Sequence, residues 1–414
     1  MTGGGVSRTA HALLRQPGGE SLLFAAPEAA VIAAHAPAQV EQAIERMQRA
    51  LDAGQVLAVA LSYELGHVLA TPPLPCPRKP HAPVPRPPLI WALPVEEAAR
   101  LDTAGTAAFL RRRAMEDARR FTPAAATRMP EPLLDAAGFA QAFRRIQDYI
   151  AAGDTYQINL TFPVAFATRR HPALLHAALL RQQPAPHAAF LEMAATDGAS
   201  LWVASASPEL FLELDSEGGM HTRPMKGTAA RHADAARDAA AARALRGDAK
   251  TRAENLMITD LMRNDFGRIA EVGSVRVPAL HVVESYPTVH QMVSEVRARM
   301  RPGLCLRDML AALLPAGSIT GAPKRRAMEI IDELEDHARG LYTGNIGWLR
   351  KGANGHYEGV LSVVIRTALV DARGHGRMGI GAGIVADSRA QAEYAECLLK
   401  AQFLHGALRE EEAG

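Results

Sequence analysis

Lysine and arginine together number 46 in this 414-residue chain, yet only six are lysine: Lys79, Lys226, Lys250, Lys324, Lys351 and Lys400. A lysine kept where arginine is the default cation is a candidate for work a permanently protonated guanidinium cannot do, such as nucleophilic attack. Lys79 and Lys351 lie in loop-like sequence and need no such explanation. Lys226 sits in HTRPMKGTAARH (221–232), between Pro224 and Gly227. It is either a solvated cation on a turn or a lysine held on a sharp loop, where Gly227 lets the backbone approach a ligand. The second reading requires an amine shifted toward its neutral form. Glu209, 17 residues earlier, heads the run SPELFLEL (207–214) and taken alone is a surface carboxylate. The separation suits two adjacent strands joined by a Gly218-Gly219 turn. Such a pairing would bring a carboxylic acid and an amine to one site, as acid plus nucleophile chemistry requires.

Further carboxylates fall on helices. KTRAENLMITDLMRNDFGRI (250–269) carries Glu254 in its first turn, and the last helical stretch carries Glu393, Glu396 and Lys400 on one face. These are either surface Glu–Lys pairs at i,i+4 spacing, or Glu254 and Glu396 converge on a hard divalent cation. Mg²⁺ takes a couple of carboxylates and completes its shell with water and substrate oxygens. LLPAGSITGAPKRRAMEII (313–331) is a glycine-, serine- and threonine-rich loop entering a helix, whose amides suit an anion. It lacks the G-x-x-x-x-G-K-[ST] pattern of a phosphate loop. GIGAGIVADS (379–388) matches a dinucleotide glycine motif only in part, without the third glycine. A loop presenting amides to a carboxylate fits it equally. Arg366 stands within the apolar run VLSVVIRTALV (360–370). A buried unpaired charge is costly, so an anion must meet it, either a protein carboxylate or a ligand. No H-E-x-x-H, zinc-spaced Cys/His cluster or G-x-S-x-G occurs.

These residues need elements to hold them. From about 133 to 408 strand-like runs (188–193, 201–207, 210–214, 360–370, 378–385) alternate with helical ones (137–151, 172–182, 233–245, 251–263, 306–313, 323–337, 388–405). Pro323 fits a first-turn position, and Ser388 with Gln391 reads as a capping box. The expected class is α+β, with large mainly antiparallel sheets and helices outside. Residues 1–132 read as an N-terminal segment integrated with the core. It carries a helix over 38–54, a strand from 56, a Pro-rich loop over 72–88 and a short strand over 89–94. Residues 133–408 read as the catalytic domain.

Hydrophobic residues make up 48% and charged residues 22%, with a net charge of +2, which argues against nucleic acid or a charged membrane surface as partner. No apolar run reaches the roughly 18 residues of a membrane helix. The N-terminus lacks the layout of a secretion signal. Cys76, Cys305 and Cys397 are widely spaced and odd in number, which fits reduced thiols in the cytoplasm.

Taken together, DTYQINLT (154–161), SASPELF (205–211), RPMKGT (223–228), TRAENLMITDLMRND (251–265), PAGSITGAPKRRAMEIIDELE (315–335), GLYTGNIGWL (340–349), VVIRTALV (363–370), GIGAGIVADS (379–388) and EYAECLLKA (393–401) resemble the chorismate-utilising enzyme family. The resemblance runs in family order over about 155–401. It implies two large antiparallel sheets packed as a sandwich with helices outside. It implies Mg²⁺ held by Glu254 and Glu396 at the ring carboxylate of chorismate. Tyr342, Arg366 and the amide of Gly383 match positions that hold the enolpyruvyl carboxylate. Gly227, Thr228 and Ser318 match ring-side contacts, and Lys400 a lysine near the metal.

Two positions sort the branches. Isochorismate and salicylate synthases carry a water-activating lysine where this chain has Gln157, so YQINLT resembles the ammonia-using members. Anthranilate synthases typically carry alanine at the Lys226 position, whereas P-M-K-G-T is similar to the P-I-K-G-T of the 4-aminating aminodeoxychorismate synthases. The implied chemistry is attack of Lys226 on C2 of chorismate with Glu209 as general acid at the departing C4 hydroxyl, then addition of ammonia at C4. The alternative branch is anthranilate synthase component I. One departure concerns the histidine many members carry three residues before the serine of an HLVS motif. Here VHQMVS (289–294) puts Gln291 there, with His290 beside it, and the role falls to neither on sequence alone. SLLFAA (21–26) is the nearest stretch to an L-L-E-S tryptophan-site motif, which disfavours tryptophan feedback. No glutaminase nucleophile loop surrounds the cysteines. Ammonia is therefore expected from a separate glutamine amidotransferase subunit, and aromatisation of the product from another enzyme.

Overall fold

Both sheets of the fold draw strands from the two halves of the chain. The structure is a computed structural model that describes residues 9–286 and 289–412, so residues 1–8, the start of the N-terminus read above for a signal, lie outside it. The first sheet runs in the order Gly321–Ala322, Gln157–Ala167, His375–Ile384, Thr367–Asp371, Ser200–Ser207, His187–Ala194, Thr9–Arg15, Ser21–Pro27 and Ala99–Leu101, with Arg128–Pro132 also on Gln157–Ala167. The second runs Met225–Ala230, Val289–Arg299, Gly219–Thr222, Leu210–Leu214, Tyr357–Val363, Asn345–Lys351, Val56–Leu61, Ile90–Val95 and Ile32–Ala34, with Arg276–Ser285 also on Val289–Arg299. The ladders are antiparallel; for example, Gln157–Ala167 pairs with His375–Ile384 over ten residues.

Period-two patterning explains the layers. In Ile90–Val95, Trp91, Leu93 and Val95 enter the core between the sheets, while Ile90 and Ala92 join the cluster beneath the outer helices. The inter-sheet core takes Leu14, Phe24, Leu191 and Val203 from the first sheet, and Ala58, Trp91 and Ile346 from the second. Each such fully buried aliphatic or phenyl side chain contributes about 1.5–3 kcal/mol relative to exposure. Helix Val40–Asp52 covers the outer face of the second sheet with Val40, Ile44, Met47 and Leu51. Ala136–Ala151, Pro172–Gln182 and Lys324–Leu334 cover the first. The α+β sandwich expected from the sequence is therefore the observed architecture. Among the described residues no helix is long and apolar enough to cross a membrane.

The chain changes sheets at two neighbouring points. Ser200–Ser207 of the first sheet continues through Pro208 and Glu209 into Leu210–Leu214 of the second. Tyr357–Val363 of the second continues through Val364, Ile365 and Arg366 into Thr367–Asp371 of the first. The crossings are stitched together: the Val363 amide donates to the Glu209 carbonyl at 3.1 Å and the Ala206 amide to the Arg366 carbonyl at 3.0 Å. The run 360–370 is thus not one strand, and Arg366 is not a charge inside one. It sits at the break with φ 51, a left-handed backbone rare for a side chain of its size.

Three local expectations also fail. The helix expected over 388–405 is two helices, Ala390–Leu399 and Gln402–Glu412. Arg389 rather than Ser388 precedes the first of these, so the capping box does not form; the Ser388 hydroxyl instead accepts from the Val385 amide at 3.1 Å. Pro323 is the extended residue just before helix Lys324–Leu334, not its first turn.

Candidate active site

The two crossings present Glu209 and Arg366 side by side. Pro208 ends the first-sheet strand, and the Ser207 hydroxyl receives the Glu209 amide at 3.3 Å. Glu209 is only 8% exposed, and the Ser318 hydroxyl donates to its Oε1 at 2.9 Å. Burial pushes its carboxyl above the ordinary carboxylate range, while the Ser318 bond and the charges of Lys226, Arg366 and Lys400 pull the other way. Burial also lowers the Arg366 guanidinium, and Glu209 is the one charge offsetting it. No hydrogen bond or ion pair among the described residues occupies that guanidinium. Of the two partners left open for Arg366, a protein carboxylate in contact is therefore not found.

Lys226 reaches the same cleft by a different route from the one its spacing suggests. The Gly218-Gly219 turn joins Leu210–Leu214 to Gly219–Thr222, but Lys226 lies on Met225–Ala230, separated from Leu210–Leu214 by two strands, Gly219–Thr222 and Val289–Arg299. Adjacent strands are thus a correction; convergence of the two side chains is not, because their charges act on each other. The other five lysines all hold carboxylates: Lys79 with Asp332 at 2.9 Å, Lys250 with Glu254 at 3.9 Å, Lys324 with Asp265 at 2.6 Å, Lys351 with Asp52 at 2.7 Å and Lys400 with Glu396 at 2.7 Å. Lys226 alone of the six makes neither an ion pair nor a hydrogen bond among the described residues. Burial, then the Lys400 ammonium, lower its amine below the ordinary lysine range against the pull of Glu209, Glu254 and Glu396. A lysine leaning neutral beside a carboxyl leaning protonated is a nucleophile with an acid.

Helix Ala249–Gly267 starts on an Asp248 cap, whose side chain accepts the Thr251 amide at 2.7 Å, and presents Glu254 to Lys226. The Ala390–Leu399 helix brings Glu393 and Glu396 within electrostatic reach of Glu254. Burial and these acids raise the Glu254 carboxyl, against Lys226 and Lys250. The surface-pair reading of these glutamates is also realised, since Lys250 and Lys400 both hold their i,i+4 partners. Among the described residues no three or more His, Cys, Asp or Glu side chains cluster as a metal nest. Two carboxylates within electrostatic reach of each other would suit a cation that takes the rest of its shell from water and substrate oxygens, and Mg²⁺ is of that kind.

The remaining expected contacts are placed as follows. Lys400 Nζ donates to the Gly381 carbonyl at 2.8 Å, so it spans the end of its helix and the strand His375–Ile384. That strand holds Gly379, Gly381 and Gly383 in ladder register with Pro163, Thr161 and Asn159, so GIGAG is a strand and not an anion loop. Its glycines make room: a Cβ on Gly379 would drive into the Tyr342 ring. Burial raises the Tyr342 phenol. Gly383 lies against Gln157 and Asn159, and the Gln157 Nε2 is buried without a partner. Thr228 is exposed, its hydroxyl donating to Gln291 Oε1 at 3.0 Å.

Two features escaped the sequence. Arg339, 2% exposed, donates to the carbonyls of Ile319 at 3.1 Å and Asn159 at 2.7 Å and pairs with Glu335 at 2.7 Å, bracing the turn that carries Ser318. The i,i+4 spacing of Glu335 and Arg339 was its only trace. Gln291 and His290 also separate cleanly. The His290 ring, 2% exposed, bridges Ser285 at 2.8 Å and Asp238 at 3.0 Å, whereas Gln291 turns to Gly227 and Thr228.

Comparison with known proteins places the chain by sequence and by fold. The family model described as chorismate binding enzyme matches residues 10–406. The chain is 47% identical over 268 residues to aminodeoxychorismate synthase component 1 of Klebsiella aerogenes, covering 64% of this chain and 57% of that protein. It is 41% identical over 280 residues to anthranilate synthase component 1 of Streptomyces coelicolor, covering 68% of this chain and 53% of that protein. The chain thus spans little more than half the length of these curated relatives. The solved structure of a putative 2,3-dihydroxybenzoate-specific isochorismate synthase from Bacillus anthracis superposes with a TM-score of 0.72 over 96% of both chains at 19% identity, a likeness of fold.

Proposed function

The chain belongs to the chorismate binding enzyme family, and from that premise we propose that it aminates chorismate at C4 with ammonia, giving 4-amino-4-deoxychorismate on the way to 4-aminobenzoate and folate. The observation that carries this reading is Lys226, without an ion pair or hydrogen bond among the described residues, within electrostatic reach of Glu209, with burial shifting the amine down and the carboxyl up. The resemblance separates the branches: Gln157 stands where water-adding members carry their water-activating lysine, and 2-aminating members typically carry alanine where this chain has Lys226.

The side chains divide the work. The neutral Lys226 amine forms a bond to C2 as the ring double bond shifts and the C4–O bond breaks. Glu209 gives its proton to the departing hydroxyl, which leaves as water, and the lysine nitrogen sheds its extra proton. Ammonia then bonds to C4, the double bond shifts back, and the C2–N bond to Lys226 breaks with return of a proton to the lysine. One difficult substitution becomes two easier ones. Arg366, with Tyr342 and the Gly383 amide, orients the enolpyruvyl carboxylate, while Gly227, Thr228 and Ser318 border the ring. Glu254 and Glu396 would hold Mg²⁺, which when bound offsets the charge of the ring carboxylate, with Lys400 beside it.

Ammonia in this reading comes from a glutamine amidotransferase subunit. The relatives' designation as a first component supports a second one. Three free cysteines, Cys76, Cys305 and Cys397, fit a cytoplasmic setting.

The test is incubation with chorismate, Mg²⁺ and ammonium, with products identified by mass spectrometry. The expected product is 4-amino-4-deoxychorismate without pyruvate, lost in Lys226→Ala. Anthranilate and pyruvate would instead assign the chain to the 2-aminating branch, which the similarity to the Streptomyces coelicolor enzyme keeps as the second reading.

A further inference from the structure

Strands Met225–Ala230 and Val289–Arg299 fall out of step beside the lysine. Met225 faces Val293 and Thr228 faces Gln291, so one strand advances three residues where its partner advances two. The extra residue makes a bulge at Lys226 and Gly227, and Gly227 there takes φ 84. A bulge of this kind re-aims a side chain and interrupts the ladder. The Gln291 side chain bridges the interruption. Its Nε2 donates to the Gly227 carbonyl at 2.9 Å, and its Oε1 accepts from the Thr228 hydroxyl at 3.0 Å. One planar amide, a donor at one end and an acceptor at the other, thereby grips both residues that follow the lysine.

We propose that Gln291 is a positioning residue for Lys226, its amide locking the bulge that aims the amine into the cleft. The proposal rests on the reading of Lys226 as nucleophile. Its logic is the looseness of the lysine itself: a flexible four-carbon stem with no hydrogen bond or ion pair to fix its tip. The direction of such a side chain is set at its root, and the root is this bulge. His290, one residue away, cannot share the task, because its ring is committed to Ser285 and Asp238.

Gln291→Met keeps the length of the side chain and removes both hydrogen bonds; Gln291→Ala serves as a second variant, and thermal unfolding checks that each folds. In the folded variants kcat for amination falls about 10–100-fold, the scale of a misplacement of about 1 Å, while KM for chorismate stays within about twofold. A purely structural residue would not split the two constants in this way. Unchanged kcat in folded Gln291→Met overturns the proposal. A second readout needs no chorismate. Labelling with trinitrobenzenesulfonate, followed by peptide mass spectrometry, gives the rate at Lys226 relative to Lys351. That ratio changes several-fold in Gln291→Met, and an unchanged ratio overturns the lock. A wild-type product other than 4-amino-4-deoxychorismate refutes the reaction assigned above, and the labelling ratio then decides the lock by itself.

Discussion

The pH dependence of the proposed reaction, with Lys226 as nucleophile and Glu209 as acid, follows from two side chains shifted in opposite senses. Lys226 must lose its proton to attack, and burial with the Lys400 ammonium lets it do so below the ordinary lysine range. Glu209 must keep its proton to give it, and burial holds it above the ordinary carboxylate range. The profile of kcat/KM against pH is therefore expected to be bell-shaped, rising as Lys226 deprotonates and falling as Glu209 does. Glu209→Gln abolishes the acid, costs about 10²–10⁴ in rate, and removes the limb that Glu209 governs. A profile unchanged in shape in that variant would assign the acid elsewhere. In that proposed reaction Arg366 is assigned to binding rather than to chemistry. Its guanidinium has no protein partner to lose, so Arg366→Ala removes a charge-assisted hydrogen bond to the substrate worth about 1.5–3 kcal/mol. KM for chorismate should rise about 10–100-fold, as steady-state kinetics will register.

The elements that hold these residues make sharper demands than the residues' own types. Gly227 combines φ 84 with a position where a Cβ would drive into the Thr251 methyl at the start of helix Ala249–Gly267. Gly227→Ala is expected to displace that helix start or flatten the bulge, destabilising the protein by about 1–3 kcal/mol and lowering amination more than stability alone explains. Thermal unfolding and kinetics on the same preparation separate the two losses. The same elements show what a sequence can disclose. Short apolar runs such as 201–207 and 210–214 and amphipathic runs such as 38–54 announced themselves, because a strand buried on both faces and a helix buried on one each leave a pattern. Arg366 misled: Val, Leu and Ile flank it on both sides, and nothing in that run marks the left-handed break where the chain changes sheets. Strand Val289–Arg299, which carries Gln291, mixes Arg, Glu, Gln and His into its alternation and went unread as a strand, so the strand of Lys226 was paired with the wrong neighbour. The site residues were legible because their chemical types are unusual where they stand. Their convergence was not, because sheet order is fixed by long-range pairing that local spacing does not encode.

Across the whole molecule, residues 9–132 give four strands to the first sheet and three to the second, so we read residues 1–132 as one folding unit with 133–408. A buried charge network fastens them. Glu192, on strand His187–Ala194, accepts from Arg113 Nε at 2.8 Å and pairs with His11 on strand Thr9–Arg15 at 3.0 Å. Arg113, on helix Thr103–Glu116, also holds Asp117 at 2.7 Å. Burial alone would raise the Glu192 carboxyl, but the His11 and Arg113 hydrogen bonds outweigh it and bring it down to about 2. A folded value below the unfolded one means stability that is fully present above the ordinary carboxylate range and lost as pH falls toward about 2. Removing Glu192 leaves Arg113 paired with Asp117 and Glu116 but strips its Nε and the His11 ring of their buried acceptor, which costs about 1–3 kcal/mol. Glu192→Ala should therefore lower Tm at neutral pH by several degrees. Its Tm should also fall less steeply than that of the wild type between about pH 4.5 and pH 2, because the group that titrates there is gone. Parallel Tm curves for the two proteins across that window, followed by circular dichroism, would mean that the network carries no pH-dependent stability.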